Sequence, residues 1–349
     1  MSVPAKQKAL FLLKQHGAWA IQPTEVYSPG AGELLVRLEA IALNPLDWKM
    51  KEFGLFIEHY PAVIGNDAAG IVAQVGEGVT SFAVGDKVIF QTYFADNRRG
   101  AFQEYAIIPA EITAKLPSTL NFDQGATVPL GLTTAFTALY GDKWEQGGAE
   151  LPPPWRPEGR GTFAGQPIVI IGGSSSVGSY VIQGAKLSGF SPIITTVSPH
   201  NNKLVKSLGA THTIDRRLSS SEVVAEVKKI TSEPVKYVYD AISTPETQKT
   251  AVDILSSGGT LLLVLPKAVN IPADKKAIAT FASVHIPGNR RFGVELFSNL
   301  TKLFESGDIK PNVVEVLPKG LAGIPEGLER LKNNEVSGVK LVVRPPETP

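Results

Sequence analysis

Residues 168–180 read IVIIGGSSSVGSY and carry the spacing of a phosphate cradle. Four apolar residues run into two glycines, then three serines, Val177 and Gly178. Set against G-x-G-x-x-G, Gly173 and Gly178 take the first and third glycine positions. Ser175 takes the middle one, with Ser174, Ser176 and Val177 between. A helix that starts here offers unpaired N–H groups and partial positive charge, which suit a pyrophosphate. The same letters also serve as a serine-rich helix cap with no ligand. The next strand-like run, SPIITTVS (191–198), is followed by PHNNK. An NAD site places a carboxylate there for the ribose 2′-hydroxyl. None is present; Ser198, His200, Asn202 and Lys203 occupy the region. Hydroxyls and a cation suit a 2′-phosphate, so the expected cofactor is NADPH.

Other chemistries lack their residues. The 349-residue chain has no cysteine, which removes disulfides, thiolate metal sites and a cysteine nucleophile. Its five histidines are scattered, with no HExxH pair, and no G-x-S-x-G elbow occurs. Lys plus Arg is 34 against 33 for Asp plus Glu. That balance gives no overall field for nucleic acid or an anionic membrane. The apolar patch from Ala9 to Leu13 is short and broken by Lys14, and LLLVLP (261–266) is strand-sized. The expectation is a soluble, cytoplasmic protein acting on a small molecule.

The elements that must position these residues follow from pattern. LLVRLEAIAL (34–43), the two ends of GIVAQVGEGVTSFAVGDKVIF (70–90) and AFQEYAIIP (101–109) read as strands, as in a small barrel. Residues 122–141 have helical spacing and stop at a glycine. Residues 141–166 are rich in Gly and Pro and read as a surface loop or linker. From 167 onward strand and helix alternate. One helix is capped by Asn201 or Asn202, another has a Ser219–Glu222 capping box, and a third has Pro245 in its first turn. Such alternation means a parallel sheet covered on both faces. Helices over 290–309 and 324–338 and a closing strand VKLVVR (339–344) complete the chain.

Taken together, ALNPLDWK (42–49), GNDAAGIVAQVGEGVTSFAVGDKV (65–88), GAFQEYAIIP (100–109), PLGLTTAFTAL (129–139), VIIGGSSSVG (169–178), SLGATHTID (207–215) and EVSGVKLVV (335–343) carry a family likeness. In that order they resemble the medium-chain dehydrogenase/reductase superfamily, in its zinc-free quinone reductase and fungal trans-acting enoyl reductase branch. The resemblance implies an α/β fold with two domains. A GroES-like β-barrel catalytic domain would span 1–125, completed by 310–349, and a Rossmann doubly wound parallel-sheet domain 126–309. Hydride transfer would take place in the cleft between them.

The resemblance also assigns residues. Asn44 would lie near the nicotinamide, Lys49 matches the active-site lysine of the enoyl reductases, and Thr134 matches a threonine near the nicotinamide. Gly258, Gly259 and Leu265 fall where the family passes the nicotinamide ribose, and Lys340 is the closing-strand lysine, a weaker cofactor contact. The metal-ligand positions of the zinc members fall at Ala42–Pro45 and at Asn66–Asp67, which hold no Cys or His. The implied activity is zinc-independent hydride transfer from NADPH to an activated C=C or a quinone. Two alternatives stay open: a trans-acting enoyl reductase working on a carrier-bound polyketide, with Arg98, Arg99, Arg290 and Arg291 as rim cations, and a non-catalytic NADPH-binding protein. A carrier protein and a second copy of the chain are the partners that the resemblance allows.

Overall fold

Residues 3–94 and 96–349 are described by a computed structural model. The chain divides into two compact units. One holds the residues up to Leu130, with Gly293–Glu305 and Pro311–Pro349; the other holds Gly131–Phe292 and Ser306–Lys310.

The first unit begins with β1 (Lys6–Leu12) and β2 (Trp19–Glu25), an antiparallel pair. The apolar patch near the N-terminus is therefore the buried face of a strand, with Ala9 and Leu12 fully covered. β3 (Glu33–Ala42) is the hub of the main sheet. Its pairing with the strand Asp67–Val75 shifts register at Leu35/Val36 and Leu38/Ala40, and such bulges bend a strand. α1 (Pro45–Phe53) follows at once, a helix the sequence pattern had not marked. Its signals are local: Asn44 at the cap, Pro45 at the first helical position, Asp47 reaching back to the Asn44 N–H, and Gly54 left-handed at φ 63°. β4 (Asp67–Val75) and β5 (Lys87–Gln91) are the expected pair either side of a Gly-Asp turn. β6 (Tyr105–Pro109) is shorter than the run 101–109, because Gln103 turns its amide onto the carbonyls of Asn97 and Gly100. β7 (Thr113–Lys115) pairs with β5.

The helical stretch 122–141 is two helices, not one. α2 (Phe122–Ala126) is closed by the Thr127 hydroxyl on the Gln124 carbonyl. α3 (Pro129–Tyr140) then starts at a proline, which has no N–H to continue the earlier ladder. The Gly- and Pro-rich segment after it is not a free linker. Trp155 stacks on Phe136 at 5.9 Å, and Phe163 on Phe190 at 4.5 Å, with Leu151 buried ahead of both in sequence.

In the second unit β8 (Ile168–Ile171), α4 (Ser176–Ser188), β9 (Ile193–Val197), α5 (Asn202–Leu208), β10 (His212–Asp215), α6 (Ser220–Ile230), β11 (Tyr237–Asp240), α7 (Pro245–Ile254), β12 (Thr260–Leu263) and β13 (Lys276–Ala279) follow in turn. The strands form one six-stranded parallel sheet, ordered β10-β9-β8-β11-β12-β13. Counted from β8 this is the 3-2-1-4-5-6 order of a dinucleotide-binding sheet, with its switch point between β8 and β11. Val169, Ile194, Val238 and Leu261 of the sheet pack against Val223 and Val227 of α6 and Ala251 of α7. The Ser219 capping box and Pro245 stand as read, but α5 is headed by Asn201 with no side-chain cap bond. β13 escaped the pattern because KKAIAT offers little apolar alternation.

After α8 (Pro287–Glu305) the chain returns through β14 (Val314–Val316), α9 (Ile324–Lys332) and β15 (Lys340–Val343). β15 pairs antiparallel with the end of β3, with Val342 opposite Ala42. The Leu43 N–H donates to the Leu341 carbonyl, so Lys340 arrives beside the residues that cap α1.

Candidate active site

The pairing of β15 with β3 assembles a buried polar network in the first unit. Lys340 is 4% exposed. Its ammonium donates to Asn44 Oδ1 at 2.6 Å and pairs with Asp67 Oδ2 at 2.9 Å. Asn44 Nδ2 donates to the same Asp67 oxygen at 2.9 Å, and Asp67 Oδ1 accepts the Leu130 N–H. Asp47, fully buried, accepts from the Asn44 N–H at 2.7 Å and from Asn66 Nδ2 at 2.9 Å. Burial pushes the Asp47 carboxyl up to about 7, and the Asp67 charge adds to that rise. The Asn44 N–H, the Asn66 amide and the Lys340 ammonium oppose it. Sequence reasoning named Asn44 and Lys340 separately. It did not foresee that Asp47 and Asp67 join them, although two carboxylates inside otherwise apolar segments were a readable signal.

Lys49 stands two residues beyond Asp47 on α1. Its ammonium lies 5.6 Å from the centre of the Trp48 ring. Half-buried, it makes no hydrogen bond or ion pair among the described residues, and burial lowers its pKa below the ordinary lysine value. A cation held against a ring with its N–H donors unengaged is available to an oxygen of a ligand. Thr134 is half-buried on α3, and its carbonyl accepts the Tyr239 hydroxyl at 3.0 Å.

The glycine loop lies in the second unit, between β8 and α4. Ser175 caps α4, accepting the Gly178 N–H at 3.0 Å. A Cβ on Gly173 would sit 2.1 Å from Thr195 Oγ1, and one on Gly178 would sit 2.3 Å from the Gly172 carbonyl oxygen. Both positions are closed to a side chain, as a cradle that brings backbone close to a pyrophosphate requires. Ser174, Ser176 and Val177 are half-buried around it. Ser198 follows the end of β9, with Asn202 and the exposed Lys203 on the helix beyond it. Arg216, which the sequence reading did not consider, donates its N–H to the Val197 carbonyl, which sets its backbone beside the end of β9. Leu265 follows the C-terminal end of β12. Gly258 and Gly259 precede the strand and so stand at its opposite end, away from Leu265. The reading that grouped them is corrected, because ligands of an open α/β sheet gather at the carboxyl ends of strands. The carboxyl of Asp240, at the end of β11, is pushed up by burial and holds the next turn through the N–H groups of Ile242 and Ser243. Of the rim arginines, Arg98 pairs with Asp96, Arg99 with Glu33, and Arg291 with Asp142.

Comparison with known proteins bears on the whole chain. The family model described as "Alcohol dehydrogenase GroES-like domain" matches residues 30–118, and that described as "Zinc-binding dehydrogenase" matches residues 176–306. A dehydrogenase of Emericella nidulans is 33% identical over 97% of this chain and 99% of its own length. A trans-enoyl reductase of a Penicillium species is 29% identical over 98% and 99%. A mycobacterial protein solved with NADPH shares the fold at a TM-score of 0.78, with 24% identity over 97% of this chain and all of its own. The zinc in the second model's description does not fit the residues present. Among the described residues no group of three or more His, Cys, Asp or Glu is placed to hold a metal ion. The oxygens of Asn44 and Asp67 face an ammonium instead. No helix among them is long and apolar enough to cross a membrane. The ordered motifs, the 3-2-1-4-5-6 sheet and the full-length relatives agree: the chain belongs to the medium-chain dehydrogenase/reductase superfamily and is an oxidoreductase.

Proposed function

We propose that this oxidoreductase is an NADPH-dependent, zinc-independent reductase of activated carbon–carbon double bonds, and that its substrate is an enoyl thioester presented by a carrier-protein partner. The observation that carries the reading is Lys49, a half-buried ammonium whose donors no described residue engages. Bound NADPH supplies a hydride from the nicotinamide ring. As hydride reaches the β-carbon of an enoyl thioester, negative charge gathers on the thioester oxygen. The Lys49 ammonium is a fixed donor for that oxygen, and in a site shielded from water such a donor is worth about 10²–10³ in rate. Charge on Lys49 does here what a Lewis-acid metal would do for a carbonyl. The lowered pKa of Lys49 also brings its proton closer in strength to an enolate's need. Asn44, held by Asp67 and Lys340, orients the start of the helix that carries Lys49, and Thr134 is assigned to the nicotinamide side.

The glycine cradle of Gly173 and Gly178, with Ser174, Ser175, Ser176 and Val177, fits the pyrophosphate. Ser198, Asn202, Lys203 and Arg216 fit a 2′-phosphate, since no carboxylate ends β9. Leu265 is assigned to the nicotinamide ribose. The likeness to a trans-enoyl reductase supports the carrier-bound form of the substrate.

The test is oxidation of reduced nicotinamide by the purified chain across enoyl thioesters (free and carrier-bound), enones, alkenals and quinones, with NADPH and NADH in parallel. Enoyl thioesters should give the highest kcat/KM. NADPH should be preferred by about tenfold or more, the worth of one charge-assisted contact. Equal use of NADH would overturn the phosphate assignment, and turnover confined to quinones would overturn the enoyl one.

A further inference from the structure

The ammonium of Lys340 stands among the residues that match the metal-ligand positions of zinc-dependent members. Asn44 lies in one of those segments, and Asn66 and Asp67 are the other. Lys340 reaches Asn44 Oδ1 at 2.6 Å and Asp67 Oδ2 at 2.9 Å, and is itself 4% exposed. A metal ion bound through those oxygens would place two cations within a few ångströms of each other, without water to screen them. Such a pair is strongly disfavoured in a buried setting. The geometry is also coupled along the chain. Asn44 has its side-chain oxygen on Lys340, its side-chain nitrogen on Asp67 and its backbone N–H on Asp47. Asp47 sits in the first turn of α1, two residues before Lys49.

We propose that Lys340 is a positioning residue: its ammonium is the permanent cation of this site, standing in for a metal ion's charge and fixing Asn44, and through the start of α1, Lys49. The function assigned to Lys49 rests on the enoyl reductase reading; the charge substitution does not. Removing the ammonium leaves the Asp67 carboxylate buried without a counter-ion and takes the Lys340 donor from Asn44 Oδ1, so the Asn44 amide keeps only the bonds of its Nδ2 and is held less tightly.

The experiment compares Lys340→Met, Lys340→Arg and the double variant Lys340→Met/Asp67→Asn with the wild-type full chain. Each is measured for thermal midpoint, for kcat and KM with NADPH and an enoyl thioester, and for Co²⁺ uptake by visible absorption. Lys340→Met should lower both the midpoint and kcat. The double variant removes the unpaired charge and should regain the midpoint while kcat stays down about tenfold or more, the cost of a misplaced donor. Lys340→Arg, which keeps the charge, should recover part of kcat. Wild type should take up no Co²⁺ at this site. Recovery of kcat together with the midpoint in the double variant would reduce Lys340 to a structural counter-ion and overturn the proposal. Stoichiometric Co²⁺ binding by wild type, abolished by Asp67→Asn, would overturn it as well. If no variant or wild type reduces any enoyl thioester, the activity reading fails, and the Co²⁺ and stability measurements still decide the charge substitution.

Discussion

Lys49 and Ser198 are the residues on which the proposed chemistry turns, and each is open to a single substitution. Lys49→Met keeps the packing on Trp48 but removes the charge. Its kcat should fall by about 10²–10³ with the KM for NADPH little changed, because the lost interaction belongs to the transition state. Steady-state kinetics on the enoyl thioester check this, with circular dichroism to confirm folding. The lowered pKa of Lys49 also sets a sign. The active ammonium is lost as pH rises, so the alkaline limb of kcat should fall below the ordinary lysine value and be absent from the Lys49→Met residual activity. At Ser198, which follows β9, a carboxylate would repel a 2′-phosphate and accept from a ribose hydroxyl. Ser198→Asp should therefore raise the KM for NADPH by about tenfold or more and lower that for NADH. A ratio of the two KM values that does not move would remove Ser198 from the cofactor site. Both proposals start from the sequence, because Lys49 lies in a short motif and the missing acid is a local absence.

At the scale of elements, the turn from β8 into α4 depends on two glycines with no room for a side chain. In Gly178→Ala the new Cβ meets the Gly172 backbone oxygen, which cannot swing aside as a side chain would. The start of α4 must lift away from β8, at a cost of about 1–3 kcal/mol for overpacking. The thermal midpoint should fall and NADPH affinity, read by fluorescence titration, should weaken by more than tenfold, since the proposed pyrophosphate cradle shifts with the helix. A variant that binds NADPH normally would show that the cradle tolerates the shift. The β-α alternation of this unit was legible because most of its strands and helices carry their own period, and α4, α6 and α7 their own caps. Elements without such marks were missed or misjudged. α1 hid behind a motif read for its chemistry, β13 has little alternation, and the helix over 122–141 broke where Pro129 follows the Thr127 cap.

At the scale of the whole molecule, the buried Asp47 carboxyl links stability to pH. Its pKa rises from 3.8 to about 7 on folding, so the folded chain holds a proton that the unfolded chain has released. Stability from this group is therefore greatest in acid and is lost as pH climbs from about 4 to about 7. In Asp47→Asn that slope should vanish, so urea unfolding measured across this range should converge on, then favour, the variant as pH rises. A wild-type slope that survives in Asp47→Asn would assign it to another group.

The sequence by itself determined the parts that are local. Thirteen residues specify the strand, turn and helix start around the glycine loop. The lack of cysteine limits which metals can be held, and the strand–helix alternation dictates a parallel sheet. Tertiary structure alone decided that Lys340 meets Asn44 across 296 positions of chain. That contact exists because β15 returns to pair with β3, and strand partners distant in sequence leave no mark in spacing. Burial then acted on the result. Carboxylates that would be ordinary surface acids in an extended chain became one ammonium-held network, with the Asp47 proton shifted by the loss of water around it.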